Sequence, residues 1–500
     1  MRRVTATTQS PRYGNALRWM ALGILSALSA CSVGPRYKRP EIAPPAAWQA
    51  DQAASPTQHP DSAADWPSSD WWRTFKSPEL DELIAEAREA NDDLAAALAR
   101  VDEADAQAQV AGAALLPAVG AGTAASRARG RSSLAGSGAG SGGSTGTAGS
   151  VNAVNRPPTY NLFSSTLTAS YELDFWGKYH DLRDAARVAA EASRYDRDTV
   201  ELSVMTRVAN TYFQLLELRD RLGVAQNNLA SAQSTLDDLR TQEQVGTATS
   251  LQIAQQTTTV AALQAVLPPL QEQLQQTTDA LAILVGKEPE ALNVSAANLA
   301  SLAEPRVSPG LPSELLARRP DVASAEAQLR EANANIRAAR ASFFPTIALT
   351  TEGGIASTAL GTALNPAHRI FAVTAGLTQP IFSGGALTGQ YHLTQARYTE
   401  LLANYHKAVI SAFGNVEDAL VAVRQGAEEM QRQQQEVDSA REAYDLSQAQ
   451  LQAGTIDILT VLNTQSALFT AEDALVQAKY AHLSALVTLF NALGGGWQQS

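Results

Sequence analysis

Six histidines and one cysteine are the side chains of this 500-residue chain best suited to metal or nucleophilic chemistry, and their placement serves neither. His59, His180, His368, His392, His406 and His482 are scattered without ligand spacing, and Cys31 has no second thiol to join it. No Gly-rich phosphate loop follows a strand-like run, and no triad-like set of nucleophile and base is present. His482 sits on a helical seam, where packing is the simpler role. The expectation is no enzyme, no resident metal and no cofactor. A formal charge of −12 also argues against nucleic acid, whose phosphates need broad neutralisation.

The one site of expected chemistry is Cys31 itself. Arg2, Arg3, Arg12 and Arg18 form a basic leader, Trp19 to Leu28 is a short apolar core, and Ser29-Ala30 precede the cysteine. Leu28-Ser29-Ala30-Cys31 resembles a bacterial lipobox, so residues 1–30 read as a signal peptide and Cys31 as the lipid attachment point. Ser32, rather than aspartate, favours sorting to the outer membrane. Cleavage removes four arginines and no acids, taking the charge from −12 to −16. A lone cysteine leaves no partner for a disulfide.

The elements behind this leader come in two copies. Val245-Gly246-Thr247-Ala248-Thr249 returns 208 positions later as Ala453-Gly454-Thr455-Ile456-Asp457, and Leu284-Val285-Gly286 returns at the same offset as Ala492-Leu493-Gly494. Leu116-Pro117 pairs with Phe344-Pro345 at an offset of 228. Between these marks lie unusually long helical segments. Leu215, Leu218, Leu222, Ala225, Leu229, Ala232, Leu236 and Leu239 follow a 3-4 spacing, as do Val260, Leu263, Leu267, Leu270, Leu274, Thr277, Leu281 and Leu284. A weaker seam runs out through Phe413, Val416 and Leu420 and back through Leu468 to Leu489. About 60 helical residues, as from 180 to 243, would reach roughly 90 Å, and each copy is thus a long helical hairpin reversing at Gly246 or Gly454. Pro268-Pro269 predicts a local break in the first return arm.

Four strand-like runs complete the pattern, near 115–126, 160–176, 343–353 and 369–382. Each approaches the 9–11 residues of a membrane-crossing strand and alternates apolar with polar side chains. Residues 126–158, rich in Gly and Ser, read as an exposed loop. No later stretch has the length of a membrane-spanning helix, so a bilayer would be crossed by strands. Four strands cannot close a barrel, and open edges are not tolerated in lipid. Two copies would make eight strands around a filled interior; a lumen needs at least three copies.

At this point the chain is similar to the outer-membrane efflux proteins (TolC-like), in their lipoprotein branch serving RND-type pumps. The resemblance rests on Cys31-Ser-Val-Gly-Pro-Arg-Tyr-Lys-Arg-Pro40, Trp71-Trp72-Arg73-Thr74-Phe75, Leu80-Asp81-Glu82-Leu83-Ile84, Leu316-Ala-Arg-Arg-Pro-Asp-Val322, Gln379-Pro380-Ile381-Phe382 and Ala453-Gly454-Thr455. It implies a mainly α fold with a transmembrane β-barrel: duplicated helical hairpins plus four strands per chain, in a homotrimer whose 12-stranded barrel stands on a periplasmic α-helical tunnel. The division that follows is residues 1–30 signal, 31–76 lipidated extension, 77–290 first repeat, 291–313 equatorial connector, 314–494 second repeat and 495–500 tail. Trp66, Trp71, Trp72 and Phe75 are expected to pin the extension at the equator, and Arg318-Arg319-Pro320-Asp321 to restart a helix.

The function implied is a passive exit duct of a tripartite efflux system in the outer membrane, fed by a periplasmic adaptor and an inner-membrane RND-type pump. Adaptor contact would fall on the hairpin tips, Gly246, Thr247, Gly454 and Thr455. Carried over by position, the periplasmic aperture would comprise Asp457, Leu459, Thr460, Asn463 and Ser466. Here the chain departs from its relatives: Asn463 stands where an acid is usual, so closure would rest on Leu459 packing and neutral hydrogen bonds. One of Leu459 and Leu462 must instead be hairpin seam. Four methionines without a cluster argue against dedicated Cu(I) or Ag(I) export and leave organic toxicants as the default cargo. The alternative is a coiled-coil lipoprotein that merely tethers the envelope, which predicts no alternating strands.

Overall fold

The computed structural model describes residues 33–49, 66–129, 159–295, 298–305, 307, 310 and 312–498. Cys31, the leader and most of the Gly/Ser-rich stretch lie outside them. The chain divides into two compact units, one holding residues 106–186 and 332–397, the other residues 37–105, 187–331 and 398–500. The main helices are α1 (Pro78–Ala90), α2 (Asp92–Ala113), α3 (Lys178–Gln244), α4 (Ser250–Leu284), α5 (Pro320–Ala341), α6 (Ala386–Gln452) and α7 (Ile458–Ala492). The strands are β1 (Ala118–Arg129), β2 (Thr159–Leu173), β3 (Thr346–Ser357) and β4 (Arg369–Thr378).

The duplication is preserved to the residue. The outgoing arms α3 and α6 each have 67 residues, and the return arms α4 and α7 each have 35. Both arms reverse the same way. Gly246 and Gly454 take φ of +81° and +72°, a conformation that costs a side-chain-bearing residue about 1–2 kcal/mol. The Gly246 and Thr247 amides donate to Glu243 and Gln242 carbonyls, and the Gly454 and Thr455 amides donate to Leu451 and Gln450. Each pair closes the helix end in a Schellman motif. The return helices then start on side-chain caps, Thr249 for α4 and Asp457 for α7.

Most of the heptad seam positions are buried, with Leu222, Leu229, Leu267, Leu274 and Leu284 half-buried. Leu215, Leu218, Ala225, Ala232, Leu236 and Leu239 are buried on α3, opposite Val260, Leu263, Leu270 and Leu281 on α4. Pro268-Pro269 does not break α4, which runs through both. The two rings are at the outer side of the helix, so water reaches the carbonyls they leave without donors, and buried Leu263 and Leu270 on either side hold the helix.

Near the middle of the helical unit a separate aromatic core forms. Trp71 stacks on Phe490 at 5.1 Å between ring centroids, and Phe75 meets Phe213 at 5.0 Å; Trp71 and Phe75 are fully buried. Tyr212 is buried beside them, donating to Glu79 Oε2 at 3.0 Å, and burial pushes its phenol up to about 12. Trp66 donates its indole N–H to the Leu493 carbonyl and carries the Arg318 guanidinium over its ring. Pro320 opens α5, and Arg319 grips Asp321 bidentately while donating to the Ala492 carbonyl at the end of α7. These groups pack within one chain.

The strands form one antiparallel meander in the order β1-β2-β3-β4. β1 and β4 therefore each keep one unpaired edge. The observed strands differ from the sequence boundaries by a few residues: β2 stops at Leu173, before Phe175 and Trp176, and β4 stops at Thr378. Trp176 instead stacks on Phe344 at 4.7 Å and donates to the Pro345 carbonyl, tying the end of β2 to the start of β3.

Candidate functional site

Directly opposed residues in a sheet point to the same side, so the strand register sorts side chains into two faces. Val119, Leu167, Gly353 and Phe371 share one face with Tyr171, Leu349, Val373 and Leu377. Phe371, Val373 and Leu377 are 89%, 77% and 70% exposed, which in water would be an unfavourable apolar surface and in lipid is the expected one. The other face carries Thr166, Thr168, Ser170, Thr350 and Thr374, with both strand carboxylates, Glu172 and Glu352. One face thus suits hydrocarbon and the other water. Among the described residues no helix is long and apolar enough to cross a membrane.

The second candidate region is the pair of hairpin tips in the helical unit. Gly246, Thr247, Gly454 and Thr455 are all outward, and the two threonine hydroxyls donate to Gln242 and Gln450 carbonyls. Nothing lies within 4 Å of a Cβ built on either glycine, so the glycines are there for φ and not for close packing. The tips pack on each other's hairpins: Leu239 joins Tyr444, Ile458, Val461, Leu462 and Leu468 in one cluster, with Ala248 and Ile253 against it.

The proposed aperture residues fall on the exposed side of α7. Leu459, Asn463 and Ser466 are exposed at helical spacing, while Ile458, Val461, Leu462 and Gln465 are buried. Leu462 is seam and Leu459 is not; it is 47% exposed. Asp457 is already engaged. Its Oδ1 accepts from the Thr460 amide at 3.1 Å and the Thr460 hydroxyl at 2.7 Å, and these bonds hold its carboxyl below the usual range. Asp457, the acid nearest the second tip, is a helix cap, so it keeps its charge at neutral pH but is not free to swing.

Sequence reading missed the polar ties between the two hairpins. Arg221 on α3 donates from Nε to Asp473 Oδ1 on α7 at 2.6 Å and from Nη2 to Oδ2 at 3.3 Å, and its Nη1 reaches Glu217 at 3.2 Å. Glu217 is buried; desolvation raises its pKa, while Arg221 opposes the rise. Closer to the tips, Asn228 and Arg441 both donate to Glu472, and Ser231 and Tyr444 share a hydrogen bond at 3.0 Å. Glu472 and Asp473 lie off the seam, between Ala471 and Leu475, so the 3-4 spacing gave no sign of their partners. His482 is buried on its seam against Gly426. No group of residues suited to holding a metal occurs among the described residues.

Comparison with known proteins agrees with this geometry. The chain is 41% identical over 471 residues, 94% of its length and 96% of the relative's, to the pyoverdine export outer membrane protein OpmQ of Pseudomonas putida KT2440. It is 32% identical over 484 residues, 96% of its length and 97% of the relative's, to the toluene efflux pump outer membrane protein TtgF of a second Pseudomonas putida strain. The solved CmeC outer membrane channel of Campylobacter jejuni superposes with a TM-score of 0.84 at 25% identity, covering 94% of this chain and 96% of that one. The sequence profile of outer membrane efflux proteins matches residues 83–287 and 311–495. With a lipid-suited sheet, duplicated hairpins and these matches, the chain is an outer-membrane channel protein and belongs to the outer membrane efflux protein family.

Proposed function

We propose that three copies of this chain close their free β1 and β4 edges on one another, giving a 12-stranded barrel with the apolar face in lipid and the polar face around a lumen. The observation that carries this reading is the two-faced four-stranded sheet with two open edges, since lipid does not tolerate unpaired strands. The helical hairpins then form the periplasmic part of the duct. It serves as the passive exit of a tripartite system, joined through Gly246, Thr247, Gly454 and Thr455 to a periplasmic adaptor and through it to an RND-type pump. Cys31 carries the acyl anchor.

The narrow end of the duct is assigned to Leu459, Asn463 and Ser466, with Thr460 and Asp457 holding the start of α7. Exposure of Leu459 beside a buried Leu462 supports this placement. With Asp457 tied to its cap and Asn463 neutral, closure relies on apolar contact more than on a ring of charge. The cargo is an organic solute, in keeping with four methionines without a cluster and with the pyoverdine and toluene in the relatives' names. A tethering lipoprotein has no use for the sheet. The test is complementation: in cells lacking the outer channel but retaining adaptor and pump, this chain should restore organic-toxicant efflux, and benzophenone placed at Thr247 or Thr455 should cross-link the adaptor. Restored tethering without efflux would reject the duct.

A further inference from the structure

The duct reading leaves three arginines unused. Arg127 and Arg129 end β1, Arg369 opens β4, and all three lie on the strands' outer ends. Register places them on the apolar face: Arg127 opposes Asn161, Arg129 opposes Thr159, and Arg369 opposes Ile355, in line with Leu167, Leu349 and Phe371. That face carries no other charged residue along the four strands, and both strand carboxylates lie on the opposite face. Among the described residues, none of the three arginines has an ion-pair partner.

Their height is informative. Arg127 lies eight residues beyond Val119, and Arg369 eight residues from Leu377, at the strand ends farther along the chain from α2 and α6. At about 3.3 Å per residue that is about 26 Å of strand. With strands tilted by about 40°, it is about 20 Å along the membrane normal, close to the height of a barrel's apolar band. A lipid-facing arginine costs about 2–4 kcal/mol at the bilayer midplane and about 0–1 at the interface, so these side chains mark the headgroup level. Since the helices extend into the periplasm, this is the outer leaflet. β1 and β4 are the free edges, so closing them on one another brings Arg369 of one copy beside Arg127 and Arg129 of the next.

We propose that these arginines form a basic collar that binds the phosphate groups of outer-leaflet lipid headgroups, one cluster at each seam between copies. The guanidinium fork matches a phosphate bidentately, and adjacent hydrocarbon lowers the competition from water. A lipid is favoured over a soluble anion because the clusters border an apolar surface sized for acyl chains. The proposal rests on the barrel reading, and its test separates the two.

Full-length protein in neutral detergent, wild type and R127Q/R129Q/R369Q, is mixed with bis-phosphorylated lipid A, dephosphorylated lipid A or inorganic phosphate, and retained lipid is counted by native mass spectrometry. Wild type should retain the bis-phosphorylated lipid about tenfold more strongly than the dephosphorylated one. The triple glutamine variant should lose that preference, and R127K/R129K/R369K should keep most of it. Equal retention by wild type and the glutamine variant overturns the collar, as does displacement of the lipid by millimolar inorganic phosphate. If the triple variant does not assemble, R369Q alone decides: unchanged preference overturns the proposal. Absence of conducting oligomers in the wild-type preparation would sink the barrel reading, whereas conducting oligomers without lipid preference sink the collar alone.

Discussion

Arg221→Met removes the guanidinium that ties the first hairpin to the second. Arg221 makes two bonds to Asp473 and one to Glu217, and its side chain is 22% exposed beside side chains of 23% and 7%. Breaking a fully buried pair costs about 3–5 kcal/mol; with Arg221 and Asp473 each about a fifth exposed, about 2 kcal/mol is the expected loss. The loss should depend on pH. Burial raises the Glu217 pKa, so in that interval the folded state holds more protons than the unfolded and stability falls as pH rises. Without Arg221 that pKa climbs further. The deficit is therefore largest at pH 8 and shrinks as Glu217 is protonated on acidification. Hydrogen exchange reads it locally: amides of α7 near Asp473 should exchange about 30-fold faster than wild type at pH 8 and by a smaller factor at pH 5. Unchanged exchange at pH 8, or an equal factor at both pH values, would refute the reasoning.

Further outcomes follow from the geometry. Gly246→Ala and Gly454→Ala should each cost about 1–2 kcal/mol, confined to tip exchange rates, because only φ is violated. Gly494→Ala should abolish assembled protein on heated gels, since its Cβ would collide with the Arg318 carbonyl oxygen. Glu352→Gln removes one of two carboxylates on the polar sheet face and should lower cation preference, read as a smaller reversal potential across a salt gradient. Leu459→Ala should raise closed-state conductance more than Asn463→Ala, and unchanged leak in both would reject the aperture placement.

The helical hairpins were readable because a seam of Leu, Val and Ala at 3-4 spacing has only one economical burial, and the Gly-Thr tips demand positive φ at a fixed place. The double proline misled because its effect depends on which side of the helix faces water, and Pro268 and Pro269 lie on the outer side. Strand ends were blurred by composition. β1 is largely Ala and Gly, which alternate without contrast, and Phe175 continued the apolar alternation of β2 into what is a turn. Trp176 could be assigned only once Phe344 was beside it. The ties of Arg221 to Asp473, Asn228 to Glu472 and Ser231 to Tyr444 join residues more than 200 positions apart, and no single-helix period announces them. The two faces of the sheet became definite only with register, which also showed that Arg127, Arg129 and Arg369 share a side.

The central claim is that this chain encloses a pore only as a closed ring of copies. Purified full-length protein, sized in detergent and then added to planar bilayers, tests it directly. The account predicts a heat-resistant trimer and discrete conductance steps that rise in Leu459→Ala. A monomer with no conductance, or a pore whose closed-state leak is indifferent to Leu459 and Asn463 together with intact adaptor cross-linking elsewhere on the hairpins, would contradict it.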